Sequence, residues 1–332
     1  CFEVKGTQPV LMLMGVTEFA EWRSKMALTL LVFLLSLGLV QATKRPIIGI
    51  LTEEVYHEDY PEYSSMLVGS YVKAVEQSGA RVVPIFINRT EDYYREILDS
   101  VNGVLFPGGG LSFLNVGGYA DAGRIILNYT KQVNSAGEHF PLVGVCLGFE
   151  LLFYLEVESY DILGYCNATN LSLPLIFKEN IRDSKLYRQA PRQVIEILQN
   201  LPVTYNHHKR CVTEGLLKEF HLNKEWHVLS TSVDSDGKKF ISSVESNTYP
   251  IVGLQFHPEK NAFEWNPTQD IAHTKKAIYS ARYFNDWLVN EARKNDHSFN
   301  SSDTESSALI YNYNATFINK GKSYYEQIYL FY

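Results

Sequence analysis

PLVGVCLGFELL occupies residues 141–152. Its opening run, Pro141 to Val145, has the length and bulk of a strand buried on both faces. Cys146 ends that run, and Leu147, Gly148 and Phe149 open a stretch of helical character. In open α/β sheets, ligands bind outside the carboxyl ends of the strands, which is where this cysteine falls. Gly144 and Gly148 complete the pattern G-x-C-x-G, the cysteine form of a nucleophile elbow. The glycines let strand and helix backbones approach, and the turn lifts the side chain between them into the open. A helix N-terminus also favours a thiolate. A cysteine buried as a small hydrophobe fits the same residues, so the chemical reading needs partners elsewhere in the chain.

Working outward, residues 45–51 (RPIIGIL) read as a buried strand and residues 63–79 as a helix stopped by Gly79. Residues 80–87 (ARVVPIFI) read as a strand, and Thr90 caps a helix to residue 100. Residues 103–110 (GVLFPGGG) are a strand running into a glycine loop, followed by a helix over 118–135. Apolar strands alternating with helices predict a mostly parallel central sheet flanked by helices on both faces. Beyond the elbow, residues 166–177 are polar and loop-like. Residues 227–234, 239–245 and 250–256 read as consecutive strands, the first pair joined by the turn DSDGKK. Residues 269–294 form a long amphipathic helix, 295–307 a polar linker, and the aromatic tail 308–332 returns as a strand. Residues 43–332 are expected to form one domain.

The N-terminus is expected to direct the chain out of the cytosol, with a short membrane anchor as the competing reading. After Arg23 and Lys25, Met26 opens MALTLLVFLLSLGLVQA, whose apolar run of 14 residues, 27–40, is shorter than a membrane span. It ends in a small-x-small pattern at Ala42, so residues 26–42 read as a signal peptide and residues 1–25 as sequence upstream of the start. No later stretch is long and apolar enough to span a bilayer, and the mature chain is expected to be soluble. Six N-x-[ST] sequons, at Asn88, Asn128, Asn167, Asn170, Asn300 and Asn314, fit export, to the extracellular space or a lysosome. Three cysteines follow the leader, an odd number, so at least one is unpaired; whether Cys166 and Cys211 pair is open. The net charge of −7, with no long basic run, argues against nucleic acid as a partner.

A thiol nucleophile needs a base and an oxyanion site. His257 follows the apolar run PIVGLQF, so it too lies at a strand end. Pro258 keeps it extended. Glu259, two residues on, falls on the same side and can hold the imidazole in one tautomer. A surface turn is the competing reading of H-P-E. The oxyanion donors must be backbone amides: Leu147 from the elbow itself, and Gly109 or Gly110 from the glycine loop. That loop lacks the G-K-[ST] of a phosphate-binding P-loop. No cofactor or metal is called for.

The glycine loop, the cysteine elbow and His-Pro-Glu, in that order, resemble the class I glutamine amidotransferases. The closer resemblance is to the γ-glutamyl hydrolase family, of the peptidase C26 type. PIIGIL, SYVKAVEQSGARVVP, NGVLFPGGG, VCLGFE, GLQFHPEK and FNDWLVNEARKNDHSF carry it, and it spans the chain from about residue 44 to its end. The resemblance implies a flavodoxin-like three-layer sandwich. It implies Cys146 as nucleophile, His257 as general base and acid, and Glu259 as its orienting partner. It adds Glu150, one helical turn after Cys146, and His208 in YNHHK as substrate-site residues. The implied reaction is cleavage of γ-glutamyl bonds in folylpoly-γ-glutamates through a thioester, by a chain working as a homodimer. A polyanionic substrate makes Lys209 and Arg210, beside His208, candidates to face it. An amidase for another amide and a non-catalytic binding protein on the same fold are the alternatives.

Overall fold

Which strands can pair in this chain is decided by where its glycines and β-branched residues fall. The structure, a computed structural model, describes residues 43–55, 60–318 and 323–332. The leader reading, residues 1–42, lies outside them. Among the described residues the strands are, in chain order, β1 (Ile47–Leu51), β2 (Glu53–Glu54), β3 (Ser65–Val68), β4 (Arg81–Ile85), β5 (Gly103–Phe106), β6 (Leu142–Val145) and β7 (Gly164–Leu173). There follow β8 (Ile176–Phe177), β9 (Thr204–Cys211), β10 (Trp226–Val233), β11 (Lys239–Ser246), β12 (Ile251–Leu254), β13 (Ala315–Phe317) and β14 (Gln327–Phe331).

Eight of these form the central sheet, in the order β4-β1-β5-β6-β12-β11-β10-β8. The five from β4 to β12 run parallel; β11, β10 and β8 extend the sheet antiparallel. Within β1, Ile48 and Ile50 enter one core while Ile47 and Leu51 enter the other. That two-residue period, apolar on both sides, is what a sheet covered on both faces requires. The first core packs the helices Gly69–Gln77, Arg192–Asn200 and Lys275–Ala292 through Tyr71, Val72, Leu198, Phe284 and Leu288. The second packs Glu91–Leu98, Tyr119–Ser135 and Leu147–Val157 through Leu98, Ile126, Leu151 and Leu152. The predicted three-layer arrangement, mostly parallel, is the observed one. Parallel strands direct their carboxyl ends to one edge, and β5, β6 and β12 are adjacent there.

Several elements differ from expectation. The segment read as a helix from residue 63 begins as β3, and the helix starts only at Gly69. Met66, Leu67 and Val68 suit either state; pairing with β14, at the other end of the chain, decides for the strand. Together with β2 and β13 these strands make a second sheet, β13-β14-β3-β2, so the tail contributes two strands rather than one. Residues 166–177, read as loop, are mostly strand. They form β7, paired antiparallel with β9 across two register irregularities, and β8. The irregularities scramble the alternation by which a strand is recognised. The Cys166–Cys211 disulfide joins this two-stranded ribbon. The linker 295–307 holds most of a helix, Ser302–Ala308, with a capping box between Ser301 and Thr304. The long C-terminal helix begins at Lys275, because the Thr274 side chain accepts from the Ala277 N–H and caps it there.

Candidate active site

β6 turns into the helix Leu147–Val157 at a single residue. Cys146 has φ 51° and ψ −103°, a conformation that side-chain-bearing residues rarely adopt and that costs on the order of 1–3 kcal/mol. The two glycines explain how the turn closes. A Cβ on Gly144 would lie 2.5 Å from the Gly148 carbonyl oxygen, and one on Gly148 would overlap the carbonyl of Phe106 at the end of β5. Strand, helix and neighbouring strand therefore touch through bare backbone. The Cys146 N–H donates to Leu254 O at 2.8 Å, tying the elbow to β12.

His257 emerges three residues beyond β12, its N–H donating to Tyr205 O on β9 at 2.8 Å. Its Nδ1 lies 2.7 Å from Glu259 Oε1, and both side chains are buried. A carboxylate there accepts from Nδ1–H, which leaves Nε2 with the lone pair of a base. Tyr71 Oη is 3.2 Å from the same Nδ1 and accepts from the Gly108 N–H at 2.7 Å. Gly108 is the point where the parts meet. A Cβ there would stand 2.7 Å from His257 Cε1, 2.7 Å from Tyr71 Oη and 3.0 Å from Cys146 Cβ. The glycine loop, the elbow and the histidine are thus in mutual contact, as a nucleophile, its base and an amide-rich loop must be.

Electrostatics refine the thiolate expectation. Burial, then the carboxyls of Glu150 and Glu259, push the Cys146 thiol well above its ordinary pKa; Lys260 and the Leu147 N–H pull the other way. Burial lowers His257, against the opposing pull of Glu259. The resting pair is therefore neutral thiol and neutral imidazole. The helix N-terminus alone does not overcome the desolvation of a thiolate here.

Glu150 lies one turn beyond Cys146, buried, accepting from Gln255 Nε2 at 3.3 Å. Burial raises its carboxyl to about 8, so at neutral pH it is mostly protonated. It lines a cleft of about 530 Å³ together with Leu147, Gly110, Tyr160 and Arg210. Gly110 is exposed at the lip, with open space where a side chain would stand, whereas Gly109 sits against the Glu53 carboxyl. His208 is elsewhere. It is buried in the β7–β9 ribbon, with Nδ1 2.8 Å from Arg210 O, Nε2 3.2 Å from Asn206 Oδ1, and Phe240 against its ring. Burial lowers it to about 3, so it is a neutral, internally bonded residue, and Arg210, two positions on, is the one that lines the cleft.

Two further residues belong to the site. Tyr71 bonds both the histidine and the glycine loop, and the only sequence signal for it is an aromatic residue on a buried helix face. Glu53 is fully buried, with both carboxyl oxygens unpartnered among the described residues, against Gly109. Burial, with Glu54 adding to it, pushes its carboxyl well above the usual range, which keeps a negative charge away from Gly109.

The sequence matches the peptidase C26 family over residues 46–259. It is 39% identical over 288 residues to γ-glutamyl hydrolase B of Dictyostelium discoideum, covering 86% of this chain and 83% of that one. It is 36% identical over 291 residues to the γ-glutamyl hydrolase of Mus musculus, covering 87% and 90%. Among solved structures, a glutamine amidotransferase from Thermotoga maritima superposes with a TM-score of 0.42 at 13% identity, over 75% of this chain and 99% of that one.

Proposed function

Since the chain belongs to the peptidase C26 family, we propose that it hydrolyses γ-glutamyl bonds with Cys146 as nucleophile, His257 as general base and acid, and Glu259 as the group that orients His257. The observation that carries this reading is the meeting of Cys146, His257 and Tyr71 at Gly108. As substrate enters, His257 Nε2 takes the Cys146 proton and the sulfur attacks the γ-carbonyl carbon. The tetrahedral oxygen is held by the N–H groups of Leu147 and Gly109. His257 returns the proton to the departing nitrogen, the amine leaves, and a thioester remains. Water, deprotonated by the same nitrogen, then attacks the thioester carbonyl, and the second tetrahedral state expels the Cys146 sulfur, which takes the proton back from His257.

The preferred substrate in this reading is a folylpoly-γ-glutamate, and the working form a homodimer. The site of action is outside the cytosol. Support for the last comes from the sequons and from the Cys166–Cys211 disulfide, since such bonds persist in oxidising compartments. Cys146→Ala is expected to abolish release of glutamate from a pteroyl-poly-γ-glutamate, a loss of about a thousandfold or more in kcat. A purified variant that still trims the tail at near-normal rate would remove Cys146 from the mechanism. Light scattering of the purified chain tests the dimer.

A further inference from the structure

The cleft beside Cys146 has two unlike walls. One is the elbow helix, through Leu147 and Glu150; the other carries Arg210, from β9, and Tyr160. The Arg210 guanidinium lies over the Tyr160 ring, 5.0 Å from its centroid. Tyr160 in turn stacks on Phe113, with centroids 5.5 Å apart and planes 11° apart, and its hydroxyl accepts from the Phe113 N–H. The cation therefore rests on an aromatic shelf that fixes one face and leaves the edge of its fork free. Among the described residues no acceptor lies within hydrogen-bonding distance of that fork. Glu150, which also lines the cleft, feels the Arg210 charge, which pulls its carboxyl down, but burial outweighs that pull and holds it at about 8, so at neutral pH it is mostly protonated. Lys209 is also exposed but does not line the cleft.

We infer that Arg210 binds a free carboxylate of the γ-linked glutamate substrate through a bidentate pair and so selects substrates that are anionic beside the scissile amide. The inference rests on the γ-glutamyl reading above. A guanidinium presents two parallel donors that match the two oxygens of a carboxylate, and such pairs give direction as well as energy. Two carboxylates lie close to the scissile bond. One is the α-carboxylate of the residue whose γ-carbonyl is attacked; the other belongs to the departing glutamate. Either would supply the hydrogen-bond acceptors that the Arg210 fork lacks among the described residues.

The test uses a γ-glutamylglutamate chain and two analogues. In one the acyl-side α-carboxylate is an amide; in the other the leaving-side carboxylates are amides. Arg210→Ala is expected to raise KM for the parent about 10- to 100-fold while kcat changes by less than about threefold, and Arg210→Lys to fall between. Against one analogue the wild type should lose the same factor, and Arg210→Ala should no longer separate that analogue from the parent; that analogue identifies the carboxylate. In the Cys146→Ala background, calorimetry with the parent peptide should show the same weakening in Kd when Arg210→Ala is added, without turnover. Equal losses on all three substrates, or an unchanged KM and Kd, overturn the assignment to Arg210 and leave the hydrolase reading standing. A wild type that cleaves no γ-linked peptide overturns the hydrolase reading, and the Arg210 assignment with it.

Discussion

Cys146, the nucleophile of the proposed mechanism, is kept by its surroundings as a thiol. Its proton leaves only when His257 receives it, so the charge separation is made during the reaction and not stored beforehand. Two pH dependences then part company. The raised thiol pKa means that alkylation of the free enzyme by iodoacetamide should climb only above the ordinary thiol range, about 8.5. The lowered imidazole pKa means that His257 is already a base well into acid, so the acid limb of kcat/KM should fall below about 6.5. Alkylation that reaches its plateau by pH 6 would sink the neutral-pair description and restore a preformed ion pair. That Cys146, His257 and Glu259 stand at adjacent strand ends was legible in the sequence because each belongs to a short local pattern. Tyr71 was not, since its role comes from where a helix face lands rather than from its neighbours in the chain. His208 and Arg210 are two residues apart on β9, where regular alternation would put them on one face; the register irregularity opposite them, between Tyr165 and Ala168, breaks that alternation, and His208 is buried while Arg210 lines the cleft.

The ribbon of β7 and β9 is the element that presents Arg210, and it stands apart from the central sheet. Its own core is small, Cys166, Ala168, Cys211 and Phe240, so the disulfide replaces packing that the ribbon lacks. A cross-link over a sequence separation of 45 residues is worth about 4 kcal/mol by its effect on the unfolded chain. The double substitution Cys166→Ala and Cys211→Ala should lower the urea midpoint accordingly and raise KM more than it lowers kcat, because the wall of the cleft loosens while the elbow does not. Unchanged KM with lowered stability would show that the ribbon is not part of the substrate site. This ribbon was also the least legible segment. Its polar composition resembles a loop, its paired residues lie 31 (173 to 204) to 47 (164 to 211) positions downstream, and its register breaks twice. The main sheet was readable because strands apolar on both faces announce themselves without reference to any partner.

For the whole molecule, buried ionisable groups set where it is most stable. Glu150 titrates at about 8 when folded, far above its ordinary 4.5. Between those values the unfolded chain releases a proton that the folded one keeps, so its contribution to stability falls as pH rises from about 4.5 to 8. His207 and His208 are lowered to about 4 and about 3. Below about 6.5 the unfolded chain takes up protons that the folded one refuses, so stability also falls on acidification. Between about 4.5 and 6.5 the two imidazoles outweigh the one carboxyl, so stability still rises with pH there, and urea unfolding should give its highest midpoint at about pH 6.5. Glu150→Gln should flatten the fall from about 6.5 to 8 and leave the dependence below about 4.5 unchanged; a limb that stays as steep would assign the dependence to other groups, Glu53 first.

The pairing of β3 with β14 bears on how the protein is made. Ile328 lies opposite Val68, a separation of 328 − 68 = 260 residues, and the helix bearing Tyr71 leaves β3 directly. At a synthesis rate of roughly 5–20 residues per second, an emerging chain waits about 13 to 52 seconds between the two strands. Throughout that interval β3 is an apolar edge with no mate on that side, open to wrong partners and dependent on holding factors. Tyr71 sits on the helix that leaves β3, so the contact that fixes it against the histidine is completed late, once β14 has been made.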